Sequence, residues 1–349
     1  MGNDFNNLLE RVTKGASMSA DWWRQLLTQL DDSEKERVTL LAREVAQARY
    51  GKNVFVRALI EISSYCRNNC YYCGLRCENK LTQRYRLGKE QILYVCRVAA
   101  ELGLNSFVLQ GGDDPELSNE WLADVVAAIR AEHPTKAISL SVGERTMLEY
   151  SQLRVAGADR YLLRHETANE EHYSQLHPSS MSAFNRRRSL VDLKGLGFQF
   201  GSGMMIGSPG QTTECLVEDF ILLDKLKPQM IGIGPFIPAE GTPFANEPAG
   251  SVDDTLFLIS LLRLRFPRAL IPATTALATL CENGTERAVL AGANVVMPNF
   301  TPLMHRGKYS IYNNKKCDGS ESAQGLDELV ERLEKIGYNA DFSRGDFRR

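Results

Sequence analysis

The stretch Phe55-Val56-Arg57-Ala58-Leu59-Ile60-Glu61-Ile62, followed by Ser63-Ser64-Tyr65 and then Cys66-Arg67-Asn68-Asn69-Cys70-Tyr71-Tyr72-Cys73, decides the reading of the fold. Its first half is a near-continuous apolar run of strand length, as a parallel strand covered on both faces requires. Comparable runs recur at Ser106–Gly111, Ala137–Val142, Arg160–His165, Gln199–Ile206, Met230–Ile237, Ala269–Thr274 and Asn294–Pro298. Helical patterns lie between them. Lys89–Glu101 ends at Gly103, Asn119–Glu132 sets Leu122, Val125, Val126 and Ile129 on one face, and Ser182–Leu196 ends at Gly197. Thr213–Leu226 stops before Pro228, and Ser251–Arg265 stops before Pro267. Eight strands alternating with helices predict an α/β fold of the (β/α)8 barrel type, with a doubly wound open sheet as the alternative. In such a barrel the chemistry sits at the C-terminal strand ends. There this sequence collects glycines and polar residues, among them Gln110-Gly111-Gly112-Asp113-Asp114, Arg164-His165-Glu166-Thr167 and Ala273-Thr274-Thr275.

Residues 1–50 read as a helical extension, with Ser19-Ala20-Asp21 capping a helix through Leu30 and Asp32–Tyr50 forming a second. Residues 51–304 are assigned to the barrel. Residues 305–349 are assigned to a C-terminal segment packing on it, with a last helix near Leu326–Ile336 and a polar, mobile tail over Asp341–Arg349. The stretch Thr301–Gln324 reads as loop. A chain of 349 residues with 43% hydrophobic and 24% charged residues is an ordinary globular composition able to bury a large core. A net charge of −2 argues against a generally basic nucleic-acid binder. No apolar run approaches the length of a membrane helix. The start Met1-Gly2-Asn3-Asp4-Phe5 lacks the basic-then-apolar pattern of a secretory signal. Neither a nucleic-acid nor a membrane partner is expected, and the expected location is cytoplasmic.

Of eight cysteines, four (Cys66, Cys70, Cys73 and Cys77) fall within twelve positions. Such clustering in a long chain points to metal binding or redox chemistry rather than to disulfide staples. The C-x3-C-x2-C spacing of Cys66, Cys70 and Cys73 can place three thiolates on three irons of a cubane, leaving the fourth iron open to substrate. A closed zinc site with Cys77 as fourth ligand is the competing reading.

C-x3-C-x-aromatic-C after the first strand of an α/β barrel resembles the radical S-adenosylmethionine (SAM) enzymes. In that family the open iron is chelated by the amino and carboxylate groups of SAM, and an electron entering the sulfonium releases methionine and a 5′-deoxyadenosyl radical. Further segments narrow the resemblance: Arg57–Glu61, Tyr72–Arg76, Arg84–Arg86, Leu109–Pro115, Tyr161–Asn169, Gly207–Thr212, Ile231–Pro238, Ile271–Ala276 and Asn294–Asn299. From Phe55 to Tyr312 the chain resembles the FeFe-hydrogenase maturases of this family. Biotin synthase and methylornithine synthase are neighbours in pattern, and Ile231–Pro238 with Ile271–Ala276 fits the maturases better than either.

The resemblance implies a role for each matching residue. Cys66, Cys70 and Cys73 would hold a 4Fe–4S cluster, and Tyr72 and Met205 would lie near the adenine. Gln110, Gly111 and Gly112 would let backbone carbonyls approach the SAM ammonium. Glu166 would accept both ribose hydroxyls, Arg186 would meet the SAM carboxylate, and Tyr309 and Ile311 would lie over SAM. Arg57, Ser139, Arg164, Thr274 and Thr275 would line a substrate cavity able to hold small anions. The bland alternatives are a salt bridge from Glu166 to Arg164 or Arg160, a core position for Met205, and satisfied buried polar groups for the cavity residues. His165 reads as structural and Cys77 as a free thiol. Only Cys317 matches a C-terminal cysteine trio that holds a second cluster in some relatives, so no second cluster is expected. Expected partners are a small anionic iron-containing precursor, other hydrogenase maturases and a reduced electron donor. The competing functions are a lysine mutase like methylornithine synthase and a non-enzymatic zinc or iron–sulfur scaffold.

Overall fold

Eight strand positions close into a parallel ring in the computed structural model, which describes residues 2–348. Met1 and Arg349, the outer ends of the expected N-terminal extension and polar tail, lie outside the described residues. The first position runs as Asn53–Val56 and then Ala58–Ser63, with Leu59 opposite Val108 and Glu61 opposite Gln110 on Ser106–Gly111. Ala137–Ser141, Arg160–Leu162, Gln199–Ser202 and Met230–Ile231 follow in order. The seventh position is reduced to single bridges, Leu270 to Met230 and Pro272 to Val295. Val295–Val296 then pairs with Phe55 and Val56, and the Arg57 and Leu59 N–H groups donate to the carbonyls of Val296 and Pro298, each at 3.0 Å. This closed ring with helices outside is the barrel that the alternation predicts.

Arg160–His165 and Asn294–Pro298 shorten to Arg160–Leu162 and Val295–Val296, and two longer runs are broken. Gln199–Ile206 breaks after Ser202 and Met230–Ile237 breaks after Ile231. A Cβ on Gly203 would collide with the carbonyl of Gly232, 2.7 Å from its carbon, so the two backbones pass in contact there and the ladder cannot continue. Pairing resumes as Met205–Ile206 against Gly234–Pro235. Pro272 has no N–H to give, which keeps the seventh position to isolated bridges.

Strand residues alternate between the ring interior and the helix layer. Ile60, Ile62, Phe107, Leu109, Ile138 and Leu140 join the helices in the main core, which leaves Arg57, Glu61 and Ser139 on the interior side. The N-terminal helices pack outside this layer. Ala20–Thr28 starts at a Ser19 cap and stacks Trp23 on Phe220 of Thr213–Leu226, with ring centroids 4.3 Å apart. Asp32–Tyr50 begins with a complete capping box, Asp31 with Glu34, and lies along Val252–Arg265. No helix of the described residues is long and apolar enough to cross a membrane.

The C-terminal segment differs from its polar, mobile expectation. Asn339–Asp341 pairs in parallel with Asn53–Phe55, and the next residues fold under the ring. The Arg160 Nη2 donates to the Arg344 carbonyl at 2.6 Å and to Asp346 Oδ1 at 2.7 Å, while the Arg57 Nη2 donates to the Gly345 carbonyl at 3.2 Å. Gly345 takes φ 58 directly on the Phe55 ring, where a Cβ would come within 2.8 Å of Cγ. Arg57 and Arg160 are buried guanidiniums that need acceptors, and the polarity of the tail supplies them. Burial alone would raise the Asp346 pKa. Bonds from Arg344, Gln199 and Arg160 outweigh it and hold the carboxyl well below the ordinary carboxylate range. A depressed carboxyl stabilises the fold above its unfolded pKa and loses that contribution as pH falls. Asp346→Asn is therefore expected to lower the melting temperature at pH 7 and to narrow its gap to the parent below about pH 4. Melts at pH 7 and pH 3 that show the same gap would refute this.

Candidate active site

The cysteine loop is held by the two acids that follow strand Ser106–Gly111. The Asp113 carbonyl accepts the Arg67 N–H at 2.8 Å, and its Oδ2 accepts Arg67 Nε at 3.0 Å and Asn68 Nδ2 at 3.3 Å. Its Oδ1 takes Arg145 Nη1 at 3.0 Å. Asp114 accepts Ser63 Oγ at 2.5 Å and both arms of Arg86 at 2.6 and 2.9 Å, a bidentate clamp. Gly112 lies against Tyr65 and Cys66, where a Cβ would collide with the Tyr65 carbonyl and come within 2.8 Å of the Cys66 Cβ. The Gly-Gly-Asp-Asp run thus shapes the cysteine loop. Asp113 and Asp114 were in the sequence as rim residues, but their three arginine partners lie 28 to 46 residues away.

Cys66, Cys70 and Cys73 are free thiols gathered around one space. Burial pushes all three up, Cys70 to about 12. Cys66 pushes Cys70 further, and Cys70 and Cys66 push Cys73 further. Three half-buried thiols that resist ionisation together need a cationic centre to become thiolates. Among the described residues no three His, Cys, Asp or Glu side chains are grouped as ligands of one metal ion. Three thiols that act on one another, with the fourth cysteine of the loop left exposed, suit three irons of a cubane with one iron open. Cys77 is exposed, and its N–H donates to the Asn68 carbonyl at 2.9 Å. The donor set therefore fits an iron–sulfur cluster with three protein ligands.

Of the other expected SAM residues, Tyr72, Glu166, Arg186 and Tyr309 lie near enough to the cysteines to act on them or be acted on. Tyr72 Oη lies 3.2 Å from His177 Nε2, and Tyr72 packs with Met205, Leu176 and Phe236. Burial, then Arg186, holds His177 down at about 3, so its ring stays neutral. Arg186 gives Nε to Glu144 Oε1 and Nη1 to the Arg164 carbonyl, both at 2.5 Å. Its charge acts on both Cys70 and Tyr72. Glu166 acts on Cys70, Tyr72 and Cys73, and its Oε2 is 3.0 Å from Arg164 Nη2. Gln110 Nε2 donates to Tyr309 Oη at 3.4 Å, and the Ile311 carbonyl accepts the Gly74 N–H at 2.9 Å. Gly111 sits against Ile62 and Ser63.

The expected cavity residues divide in two. Arg164, Thr274 and Thr275 stand at the C-terminal end of the ring. Ser139 lies deeper, opposite Arg160 in register. Arg57 turns away to the tail and to Met230 Sδ at 3.6 Å, leaving only its Nε without a partner. Ser139 Oγ, Arg164 Nε and Thr274 Oγ1 are also buried without a hydrogen-bond partner among the described residues. Each such group costs about 1–3 kcal/mol if left unpaired, so this set describes a space that a polar ligand would satisfy.

One pair was not singled out in the sequence. Lys315 Nζ lies 2.6 Å from Glu61 Oε1, both side chains buried, and Asn299 Nδ2 donates to Glu61 Oε2 at 2.8 Å. The same Nζ is 5.4 Å from the centre of the Tyr309 ring. Glu61 was legible as an acid inside an apolar run. Lys315, beside Lys316 in a loop, reads as solvent-facing charge.

The chain matches the radical SAM superfamily over residues 60–223. It is 40% identical over 314 residues to the [FeFe] hydrogenase maturase subunit HydE of Thermotoga maritima, covering 90% of this chain and 89% of that one. It is 29% identical over 338 residues to the 3-methylornithine synthase of Methanosarcina acetivorans, covering 96% and 93%. The crystal structure of methylornithine synthase (PylB) superposes with a TM-score of 0.83 at 27% identity, covering 96% of this chain and 97% of that one. The barrel, the triple-cysteine loop after its first strand and the near-full-length identity agree: the chain belongs to the radical SAM superfamily of enzymes, whose members use a 4Fe–4S cluster and SAM, and within it to the HydE family.

Proposed function

We propose that this enzyme is a maturase acting in assembly of the diiron subcluster of FeFe-hydrogenase. The observation that carries the reading is the 40% identity to HydE across nine-tenths of the chain, against 29% to the methylornithine synthase. Cys66, Cys70 and Cys73 would hold the cluster. Tyr72 and Met205 would border the adenine, Glu166 the ribose, Arg186 the carboxylate, and Gln110, Gly111 and Gly112 the ammonium of SAM. Tyr309 and Ile311, on the segment clasped to Gly74, would cover it. When bound, the reduced cluster would supply one electron to the sulfonium of SAM, whose C–S bond cleavage would yield methionine and a 5′-deoxyadenosyl radical.

The chain's own work is positioning and enclosure. Arg164, Ser139 and Thr274 offer unpaired polar atoms to a small anionic, iron-containing precursor. Thr275 would complete the lining at the C-terminal end, while Arg57, held by the Gly345 carbonyl, would serve the floor and not the ligand. A primary carbon radical attacks almost any nearby C–H bond, so the closed ring and its cover must exclude other donors. The precursor would come from another maturase and the electron from a reduced donor in the cytoplasm. Residues 1–50 would be an extension packed on the barrel of 51–304, and 305–349 its cover and floor. With Cys317 alone in the C-terminal region, a second cluster is not part of the proposal.

Anaerobically reconstituted protein, reduced with dithionite and given SAM, is expected to form 5′-deoxyadenosine and to show a cubane EPR signal that changes on SAM binding. Lysine added with SAM should be recovered unchanged by mass spectrometry. Conversion to methylornithine would replace the maturase reading with the mutase one. About one zinc and no iron per chain would end the radical reading.

A further inference from the structure

Glu166 is held in an unusual backbone state. Its φ is 66, one of three positive values among the described non-glycine residues, the others being Lys227 and Asn314. A non-glycine residue in this region costs about 1–3 kcal/mol and persists only where its surroundings over-determine it. Part of that determination is backbone: the Glu166 N–H donates to the Gly203 carbonyl, and its own carbonyl accepts the Met205 N–H, both at 3.1 Å. Those two bonds use the interruption in the fifth strand position. They tie the residue's own amide and carbonyl to the neighbouring strand position, and the side chain of His165 and the Ala168 N–H are held separately.

The flanks are gripped from behind. His165 is buried, with Nδ1 2.8 Å from Ser202 Oγ and Nε2 3.1 Å from Asp219 Oδ1. The same Asp219 oxygen accepts the Ala168 N–H at 2.6 Å. One carboxylate oxygen thus holds both ends of His165-Glu166-Thr167-Ala168. Asp219 sits within the helix Thr213–Leu226, fully buried, and its Oδ2 has no partner among the described residues. Burying a carboxylate with half its acceptors unused is expensive. Packing alone does not require an acid here, since the neighbouring inward residues of the helix, Cys215, Phe220, Leu223 and Leu226, are apolar. The acid is explained by what its one bonded oxygen restrains.

We propose that Asp219 is a positioning residue: through His165 and the Ala168 N–H it locks Glu166 in the left-handed conformation that aims its carboxylate at the ribose diol of SAM. This rests on the reading of Glu166 as the ribose ligand. Asp219 bonds to His165 and the Ala168 N–H and to none of the three cysteines. Its effect should fall on SAM affinity and not on the cluster.

The test uses the cluster-loaded enzyme with Asp219→Ala, Asp219→Asn, Glu166→Gln and the double variant Asp219→Ala/Glu166→Gln. Asp219→Ala should weaken SAM binding and raise the KM for SAM by about tenfold, the equivalent of one hydrogen-bond pair, with kcat little changed. The EPR signal without SAM should match the parent. Asp219→Asn keeps an accepting oxygen and should recover most of the affinity. In the Glu166→Gln background Asp219→Ala should have little further effect, because the two act through one contact. Hydrogen exchange gives a readout independent of activity: the Ala168 amide, protected in the parent, should exchange faster in Asp219→Ala. Should that variant fail to fold, His165→Ala removes one of the two grips and should move SAM affinity in the same direction by less. Unchanged SAM affinity in a folded, loaded Asp219→Ala, or in the substitute His165→Ala, while Glu166→Gln loses it, would overturn the positioning role. So would a tenfold loss that persists in full in the Glu166→Gln background. Should Glu166→Gln itself leave SAM affinity intact, the ribose reading falls and takes this role with it.

Discussion

Replacing Cys66, Cys70 or Cys73 singly by alanine is expected to abolish 5′-deoxyadenosine formation, whereas Cys77→Ala should leave it near the parent level. The three inner thiols share one buried space, and Cys77 is exposed. Gly112→Ala should nearly match the cysteine losses although it removes no ligand. Its Cβ would collide with the Tyr65 carbonyl and press on Cys66, so either the cysteine loop or the strand end must move. A displacement of an ångström at a reacting centre commonly costs about a hundredfold in rate, and the same is expected here. Iron content, EPR and deoxyadenosine yield would be read together. A Gly112→Ala enzyme with full iron loading and full deoxyadenosine yield would show that the loop is not confined as its packing indicates. Equal losses in Cys77→Ala and Cys73→Ala would make Cys77 as necessary as the inner thiols and overturn the three-cysteine assignment.

The barrel was legible because its periodicity is local. Eight apolar runs of strand length separated by helical patterns need no tertiary information to be counted. Their true ends were not legible, because Gly203 and Gly232 stop two ladders by meeting each other, which is a contact between strands. The tail was misread for a related reason. Asp346 and Arg344 look like solvated charge until Arg160, nearly 200 residues upstream, is seen to be buried beneath them. At the site, residues belonging to a contiguous motif could be found in the sequence: the cysteine triplet, Gln110-Gly111-Gly112, and Glu166 beside Arg164. Those whose meaning is a long-range pair could not. Asp113 and Asp114 act on arginines of other loops, Asp219 acts on His165 across 54 residues, and Lys315 acts on Glu61 across 254. Nor does any sequence rule place a glutamate at positive φ, since the surroundings impose that conformation.

Lys315→Met is expected to have the largest effect on stability. Its ammonium is the main cationic partner of a carboxylate buried inside the ring, and removing one member of a buried ion pair typically costs about 3–5 kcal/mol. Burial already raises the Glu61 pKa, against the lowering influence of Lys315 and Asn299. Without Lys315 it should rise further. A carboxyl whose folded pKa lies above its unfolded value binds the proton more readily in the native state. Stability is therefore fullest below the unfolded pKa and falls as pH rises through the interval to the folded one. The melting-temperature deficit of Lys315→Met should accordingly be smaller at pH 5 than at pH 8. Pairing the substitution with Glu61→Gln should recover most of the loss, because the amide can still accept from Asn299 and no charge is left buried. A double variant no more stable than Lys315→Met would mean that the lysine acts through the packing of its stem and not through its charge. The pair also ties the cover to the ring, since Lys315 follows Tyr309 and Ile311 on the segment clasped to Gly74. If that tie keeps the radical enclosed, the double variant should regain stability without regaining the parent's enclosure. In deuterated solvent containing a small thiol, whose exchanged S–D bond is weak enough to quench a primary carbon radical, its 5′-deoxyadenosine should carry more deuterium than the parent's. Equal label in both would assign the pair to stability alone.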